Sequence, residues 1–161
     1  MNEIKRINYI ILFLSLLLGF FLELLPAPTW AVWLKPEWLL LIIFFWILHT
    51  PSKLNVGFAW LLGLLLDAMK GALLGEHALA MLIVSFLFLK LHRRFKLYPM
   101  WQQCGFIFLF VLLYQFIIFL IQGIIGQLPQ SNLYWGPTLT SLIFWPWIYI
   151  LLRDWNNKFS K

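Results

Sequence analysis

The sequence has few charged residues for its length. Charged side chains make up 11% of the 161 residues, whereas an ordinary soluble domain has about 25%. The hydrophobic share is 63%, which is more apolar surface than one core of this size can hide from water. These proportions exclude a soluble globular protein and indicate that lipid covers the excess.

Cysteine is almost absent, and the chain is short. The single cysteine, Cys104, excludes an internal disulfide and belongs to no metal or redox motif. A spanning helix takes about 20 residues, so six spans would use about 120 positions and leave about 40 for loops and tails. An attached ATPase, a secreted catalytic domain or a nucleic-acid-binding domain does not fit, because each needs about 100 residues.

Apolar runs separated by proline and charge predict six membrane spans. The predicted spans cover about 8–25, 37–49, 55–69, 77–91, 102–126 and 136–152. Four interior runs are shorter than a straight span, and the two runs beside Pro51 could instead form one helical hairpin that dips part way. A β-barrel is disfavoured, because runs such as LLLIIFFWIL do not alternate apolar and polar residues. We predict an all-α integral membrane protein, a compact bundle of about six transmembrane helices in a single domain over 1–161.

The positions of Lys and Arg predict the orientation. With the N-terminus inside, ten of the twelve basic residues lie on the inner side, and only Lys35 and Lys70 lie outside. Because cytoplasmic loops are enriched in Lys and Arg, both termini are predicted to be cytoplasmic. The net charge of +6 thus indicates topology and contact with anionic lipid rather than nucleic acid. The inner set is Lys5, Arg6, Lys53, Lys90, Arg93, Arg94, Lys96, Arg153, Lys158 and Lys161.

Ionisable side chains within the spans are candidates for function, because each is costly in hydrocarbon unless it finds a partner. Glu23, Asp67, Glu76 and His77 all lie near the outer ends of their spans, where they could line a pocket or receive a partner helix. The three histidines are divided between the inner and outer sides, so they cannot share a metal ion, and no catalytic motif is present. We predict no cofactor and no metal, and an intramembrane enzyme is the least favoured class.

Small residues recur every four positions on two predicted helices. One series is Ser15, Gly19 and Glu23, and the other is Ala59, Gly63, Asp67, Gly71 and Gly75. Each series traces one helix face, and small residues on such a face let two backbones approach closely. Asp67 could face a partner helix, or it could cap the glycine-rich turn that follows; a role as a proton or ion carrier is less favoured.

Other polar and aromatic side chains within the spans are expected to pack between helices. Gln115 and Gln122 are seven residues apart and so share one face of span five, which predicts interhelical hydrogen bonds. Trp60, Trp145 and Trp147 lie deeper than the interfacial tryptophans and are predicted to pack between helices; an aromatic platform for a substrate is the less favoured alternative.

Five segments resemble the MreD family of rod shape-determining proteins. They are KPEWLLLIIFFWIL (35–48), PSKLNVG (51–57), GLLLDAMKGALLGEHALA (63–80), LHRRFKLYPMWQQ (91–103) and FWPWIYILLR (144–153). The resemblance covers about 30–155 in order, and the first span matches only in character. Its most specific part combines Asp67, Gly71, Gly75 and His77 with the WQQ motif at 101–103.

The resemblance implies a six-helix fold similar to the substrate-binding components of energy-coupling-factor vitamin transporters. It also implies a non-enzymatic member of the rod (elongation) complex in the bacterial inner membrane, with MreC as the direct partner. Further members would be the actin-like MreB filament and the transpeptidase and glycosyltransferase that extend lateral peptidoglycan. The alternative is a membrane-embedded small-molecule binding or transporter subunit, which a closed, polar outer cavity of about 300 Å³ or more would favour.

Two surfaces are candidates for partner binding. The first is the outer packing face, made of Ser15, Gly19, Glu23, Gly63, Asp67, Gly71, Gly75 and His77. The second lies on the cytoplasmic side and consists of Arg93, Arg94, Trp101, Gln102 and Gln103. The basic residues of the second set could instead only fix the topology. We assign no catalytic, cofactor-binding or metal-binding residue.

Overall fold

A computed structural model describes residues 9–159. Lys5, Arg6 and Lys161 of the predicted inner basic set lie outside the described residues. Within the described part, the chain forms six α-helices, two short 3-10 turns and no strand. The helices are α1 (Tyr9–Leu24), α2 (Trp38–His49), α3 (Val56–Lys70), α4 (Glu76–Phe95), α5 (Met100–Ile125) and α6 (Gly136–Phe159), and the 3-10 turns are Val32–Leu34 and Asn132–Trp135.

Helix α2 is the centre of the bundle. Every residue from 39 to 48 is buried, so the helix has no face toward lipid or water. It packs against α1, α4 and α6, which enclose it. It has 12 residues, or about 18 Å of length, and with the preceding 3-10 turn it forms the apolar segment Val32–His49.

The remaining helix contacts complete the bundle. Neighbours α3 and α4, α4 and α5, and α5 and α6 pack against each other in chain order, whereas α1 packs mainly on α2 and touches α3 and α6 only lightly. Successive helices run in opposite directions. We call the end with the α1–α2 and α3–α4 connections the outer end, following the predicted orientation, and the opposite end the inner end.

The runs beside Pro51 form two separate helices. Asn55 begins α3 as its N-cap, because its side chain accepts a hydrogen bond from the amide of Phe58 at 3.0 Å. Helix α3 then packs chiefly against α4, while α2 occupies the centre. Whether these two helices each cross the membrane or dip part way as a hairpin stays a prediction.

The all-helical, membrane-type fold is confirmed. In the described residues, three helical segments are long and apolar enough to cross a membrane, namely Val32–His49, Met100–Ile125 and Asn132–Phe159, and Tyr9–Leu24 is a shorter apolar helix. The six-span topology, the division into a single domain over 1–161 and the likeness to energy-coupling-factor components stay predictions.

The small-residue faces pack inside the bundle. A Cβ atom at Gly19 would lie 2.8 Å from Cδ1 of Ile42 on α2, and one at Gly63 would lie 2.9 Å from the amide nitrogen of Ala78 on α4. At Gly63 a side chain would overlap the α4 backbone, whereas at Gly19 the end of the Ile42 side chain would have to shift. The prediction that Gly71 and Gly75 continue the α3 face is wrong, because α3 ends at Lys70 and both glycines have positive φ in the following turn.

Only one of the three deep tryptophans packs between helices as predicted. Trp145 is fully buried, whereas Trp60 is 41% exposed and Trp147 is 72% exposed on the outside of the bundle. The periodicity of an almost wholly apolar helix does not distinguish a face toward lipid from a face toward another helix, because both are hydrophobic.

The contact at Gly63 predicts an asymmetry between two helical glycines. We expect Gly63→Ala to lower the free energy of unfolding by about 1–3 kcal/mol, because the added methyl group overlaps the α4 backbone. Gly105 on α5 is the matched control, since a Cβ there meets nothing within 4 Å. Gly105→Ala should be neutral or stabilise by up to about 1 kcal/mol through helix propensity. Unfolding of both variants in detergent, followed by circular dichroism, checks this; equal stability would contradict it.

Candidate functional site

Asp67 is the cap of helix α4. Its carboxylate is completely buried. One oxygen, Oδ2, accepts hydrogen bonds from the amides of Gly75 at 2.9 Å and Ala78 at 3.3 Å. The other, Oδ1, accepts from the amide of His77 at 2.9 Å and lies 2.7 Å from His77 Nδ1. A negative group at this position satisfies free amides of the first turn and complements the positive end of the helix dipole.

Two glycines bring Asp67 to this position. Gly71 ends α3 in a left-handed conformation with φ of 65°, and its amide donates to the carbonyl of Asp67. Gly75 precedes α4 with φ of 103°. Residues with side chains rarely adopt such angles, so the two glycines let the chain reverse between α3 and α4. Of the two roles left open for Asp67, the structure shows the cap.

A second polar cluster fixes the outer end of α1. Glu23 is 5% exposed, and its Oε1 lies 2.8 Å from Lys70 Nζ at the end of α3. Lys35 Nζ donates to the backbone carbonyl of Glu23 and, at 3.2 Å, to that of Leu25. Positive side chains suit the free carbonyls at the C-terminal end of a helix. Both outer basic residues of the predicted topology are therefore bound to the end of α1.

Hydrogen bonds of two glutamine side chains connect α5 to α4 and to the start of α6. Gln122 Nε2 donates to Glu76 Oε1 at 2.7 Å. Gln115 Nε2 donates to the carbonyl of Tyr134 at 3.2 Å, and Thr138 Oγ1 donates to Gln115 Oε1. These bonds confirm the interhelical role predicted for Gln115 and Gln122. Glu76 and His77 have different partners, as expected for neighbours that point to different sides of a helix.

These clusters form one layer of paired polar groups near the outer end. The pairing is not complete, because Glu23 Oε2 and the Tyr114 hydroxyl are buried without a hydrogen-bond partner among the described residues. No group of three His, Cys, Asp or Glu side chains in the described part could hold a metal ion. The arrangement stabilises helix ends and fixes helix neighbours, which is a structural role.

The outer packing face is largely closed to partners. Ser15, Gly19, Glu23, Gly63 and Asp67 are buried. Ser15 accepts a hydrogen bond from the Trp46 indole at 2.8 Å, so this face of α1 is held against α2. Only the turn and the start of α4, namely Gly71, Gly75 and His77, reach the surface of the described structure. A partner contact at these three positions stays a prediction.

The residues predicted to form the cytoplasmic contact are also partly exposed and partly buried. Arg93, Arg94 and Trp101 are exposed, and Gln102 is half-buried. Gln103 is buried and donates to the carbonyls of Phe95 at 3.4 Å and Tyr98 at 3.1 Å. It thus fixes the turn between α4 and α5, which makes it a poor candidate for partner contact; the other four residues stay predicted contacts.

Open grooves run along the outside of the bundle. Four grooves on the described residues have volumes of about 440 to 630 Å³ and predominantly apolar linings. Glu23, Asp67, Glu76 and His77 line none of the four. One groove, between α1 and α6, contains Trp147, for which the sequence predicted only helix packing, and Asp154, which the sequence reasoning did not select. The available signal was Asp154, an acid within a C-terminal segment whose other charged residues are basic.

Comparison with known proteins identifies the family of this chain. A family model described as rod shape-determining protein MreD matches residues 4–155. The chain belongs to the MreD family. It is 33% identical over 144 residues to the Rod shape-determining protein MreD of Haemophilus influenzae, a match that covers 88% of this chain and 87% of that protein. No solved structure matches.

Membership in the MreD family gives this membrane protein a role in rod shape determination. The resemblance identified from five sequence segments is thereby confirmed, and the match extends into the first helix, where the segments gave no specific signal. Asp67, Gly71, Gly75 and His77, the most specific part of the resemblance, are the residues that build the α3–α4 connection.

The cap predicts that Asp67 contributes mainly to stability. We expect Asp67→Ala to lower the free energy of unfolding by at least about 2 kcal/mol, because it leaves buried amides without acceptors. Asp67→Asn retains an acceptor and should lose less. Asp154→Ala, at an exposed acid, is the control and should unfold like the parent protein in detergent. The cap would be unimportant if Asp67→Ala and Asp154→Ala were equally stable.

The Glu23–Lys70 pair predicts energetic coupling. In a double-mutant cycle of Glu23→Gln and Lys70→Gln, we expect a coupling of about 0.5 to 3 kcal/mol, because each single change leaves a poorly solvated charge without its partner. The exposed Arg153–Asp154 pair, at 3.3 Å, serves for comparison and should couple by no more than about 1 kcal/mol. The measurement is unfolding in detergent; additive effects at Glu23 and Lys70 would argue against the pair.

Proposed function

We propose that this chain is a non-enzymatic inner-membrane scaffold of the rod complex that binds MreC and helps to position peptidoglycan synthesis. MreB, the elongation transpeptidase and the glycosyltransferase are the further members of that complex, and both termini of the chain are cytoplasmic. The observation that carries the proposal is the engagement of the outer acids inside the bundle: Asp67 caps α4, Glu23 pairs with Lys70, and Glu76 binds Gln122.

The surface left for partners supports this role. Large apolar side chains cover the outside of α1, α5 and α6, including Phe13, Leu109 and Leu151. In a membrane such surface can bind lipid or the transmembrane helix of another protein. The exposed Arg93, Arg94 and Trp101 offer a second contact on the cytoplasmic side, toward anionic lipid or a cytoplasmic member of the complex.

Small-molecule binding remains the alternative, and one observation favours it. The buried Tyr114 hydroxyl and Glu23 Oε2 are unpartnered at the outer level, where a polar ligand would be held. The four described grooves do not reach these atoms, and large rings such as Phe44, Trp46 and Phe88 fill the interior. Scaffolding is therefore the better supported of the two functions.

Co-purification of MreC tests the proposal. In rod-shaped cells in which a tagged copy replaces the native protein, we expect MreC to be recovered with it from mild detergent, because the two share a transmembrane interface. An unrelated tagged six-helix membrane protein of equal abundance is the control. Depletion of the chain should make the cells round, and re-expression should restore rods. Recovery of MreC no higher than with the control would remove the proposal.

A further inference from the structure

A groove runs between α1 and α6 on the outside of the bundle. The two helices touch only lightly because both pack on α2, and the space between them has a volume of about 630 Å³. Leu18 and Leu22 form one wall, Trp147 and Leu151 form the other, and Trp38 lies on the floor. The α6 side extends from 144 to 154, about 15 Å or nearly three helical turns.

The inner end of this groove carries a negative charge. Asp154 is 65% exposed, and Arg153, its neighbour, lies 3.3 Å away in an exposed pair of low energy. Among the described residues, Asp154 is the only acid at the inner end, where Lys53, Arg93, Lys158 and other basic residues are found. An acid suits a lysine or arginine better than an anionic phospholipid head group. Transmembrane helices carry such basic residues at their cytoplasmic ends.

Trp147, on the α6 wall of the groove, is an unusual residue for a surface that faces lipid. It is the twelfth residue of the 24 in α6 and lies within the predicted span 136–152, five residues from its inner end, whereas tryptophans that face lipid concentrate at the two interfaces. It is 72% exposed, and its indole N–H has no acceptor among the described residues. Hydrocarbon offers no acceptor either, while a helix packed in the groove can supply one.

From these observations we propose that the α1–α6 groove receives a single transmembrane helix of a partner protein, with a basic residue of its cytoplasmic flank beside Asp154 and an acceptor at the Trp147 indole. The inference rests on the proposed function, in which that partner is MreC. It adds the binding surface, the orientation of the helix with its basic flank at the inner end, and two specific contacts.

Site-specific photo-crosslinking in cells tests the binding surface. A photoreactive amino acid at Leu151, which is 61% exposed in the groove, is compared with one at Leu61 of α3, which is 57% exposed and lines none of the described grooves. We expect an adduct with MreC from Leu151 and none from Leu61. An adduct with MreC from Leu61 alone, an adduct between two copies of the chain from Leu151, or lipid adducts alone would each overturn the inference.

The charge at Asp154 provides a second readout. We expect Asp154→Lys to reduce the MreC recovered per tagged chain by about two- to fivefold, the size of a partly exposed charge contact, while Asp154→Glu retains it. Equal recovery with both variants would refute the contact with the basic flank. If MreC co-purifies but crosslinks elsewhere, the groove is wrong and the proposed function stands. If MreC does not co-purify with the unaltered chain, the proposed function itself fails.

Discussion

The central constraint on this bundle is the length of its innermost helix. A 12-residue helix is shorter than the hydrocarbon layer, and only together with the preceding 3-10 turn does the segment Val32–His49 become long enough to cross it. At the outer end, the hydroxyl of Ser141 on α6 accepts a hydrogen bond from the amide of Glu37 at 3.0 Å. At the inner end, the Thr50 hydroxyl donates to the carbonyl of Trp46 at 2.9 Å. Backbone groups at both ends of α2 thus require side-chain partners from within the chain.

That requirement also explains where polarity is used in the molecule. The acids at the outer level bind helix ends, lysines and glutamines of the same chain, so the external surface is left apolar along most of its height. Such a surface is suited to selecting another helix by shape and by a few polar contacts. Rod shape determination, the role of the family, fits a molecule whose distinguishing features lie on its lateral surface.

Sequence reasoning predicted the helices well because proline, glycine and charge interrupt the apolar runs at nearly every helix boundary. It also identified the faces at Gly19 and Gly63 from the four-residue spacing of small residues, although the same spacing extended one face wrongly into the turn at Gly71 and Gly75. The target of Asp67 stayed open, because its acceptor role depends on how Gly71 and Gly75 turn the chain. The central position of α2 and the outward orientation of Trp147 depend on packing that hydropathy alone does not distinguish.

The pair between Glu23 and Lys70 has a consequence for biogenesis. The two residues are 47 positions apart, so at about 5–20 residues per second the ribosome delivers the lysine several seconds after the glutamate. Helix α2 is synthesised within that interval, so α1 can pack on α2 before Glu23 meets Lys70. The contact between Glu23 and Lys70 forms only after α3 has been made. The outer end of the first helix is in this sense completed by the third.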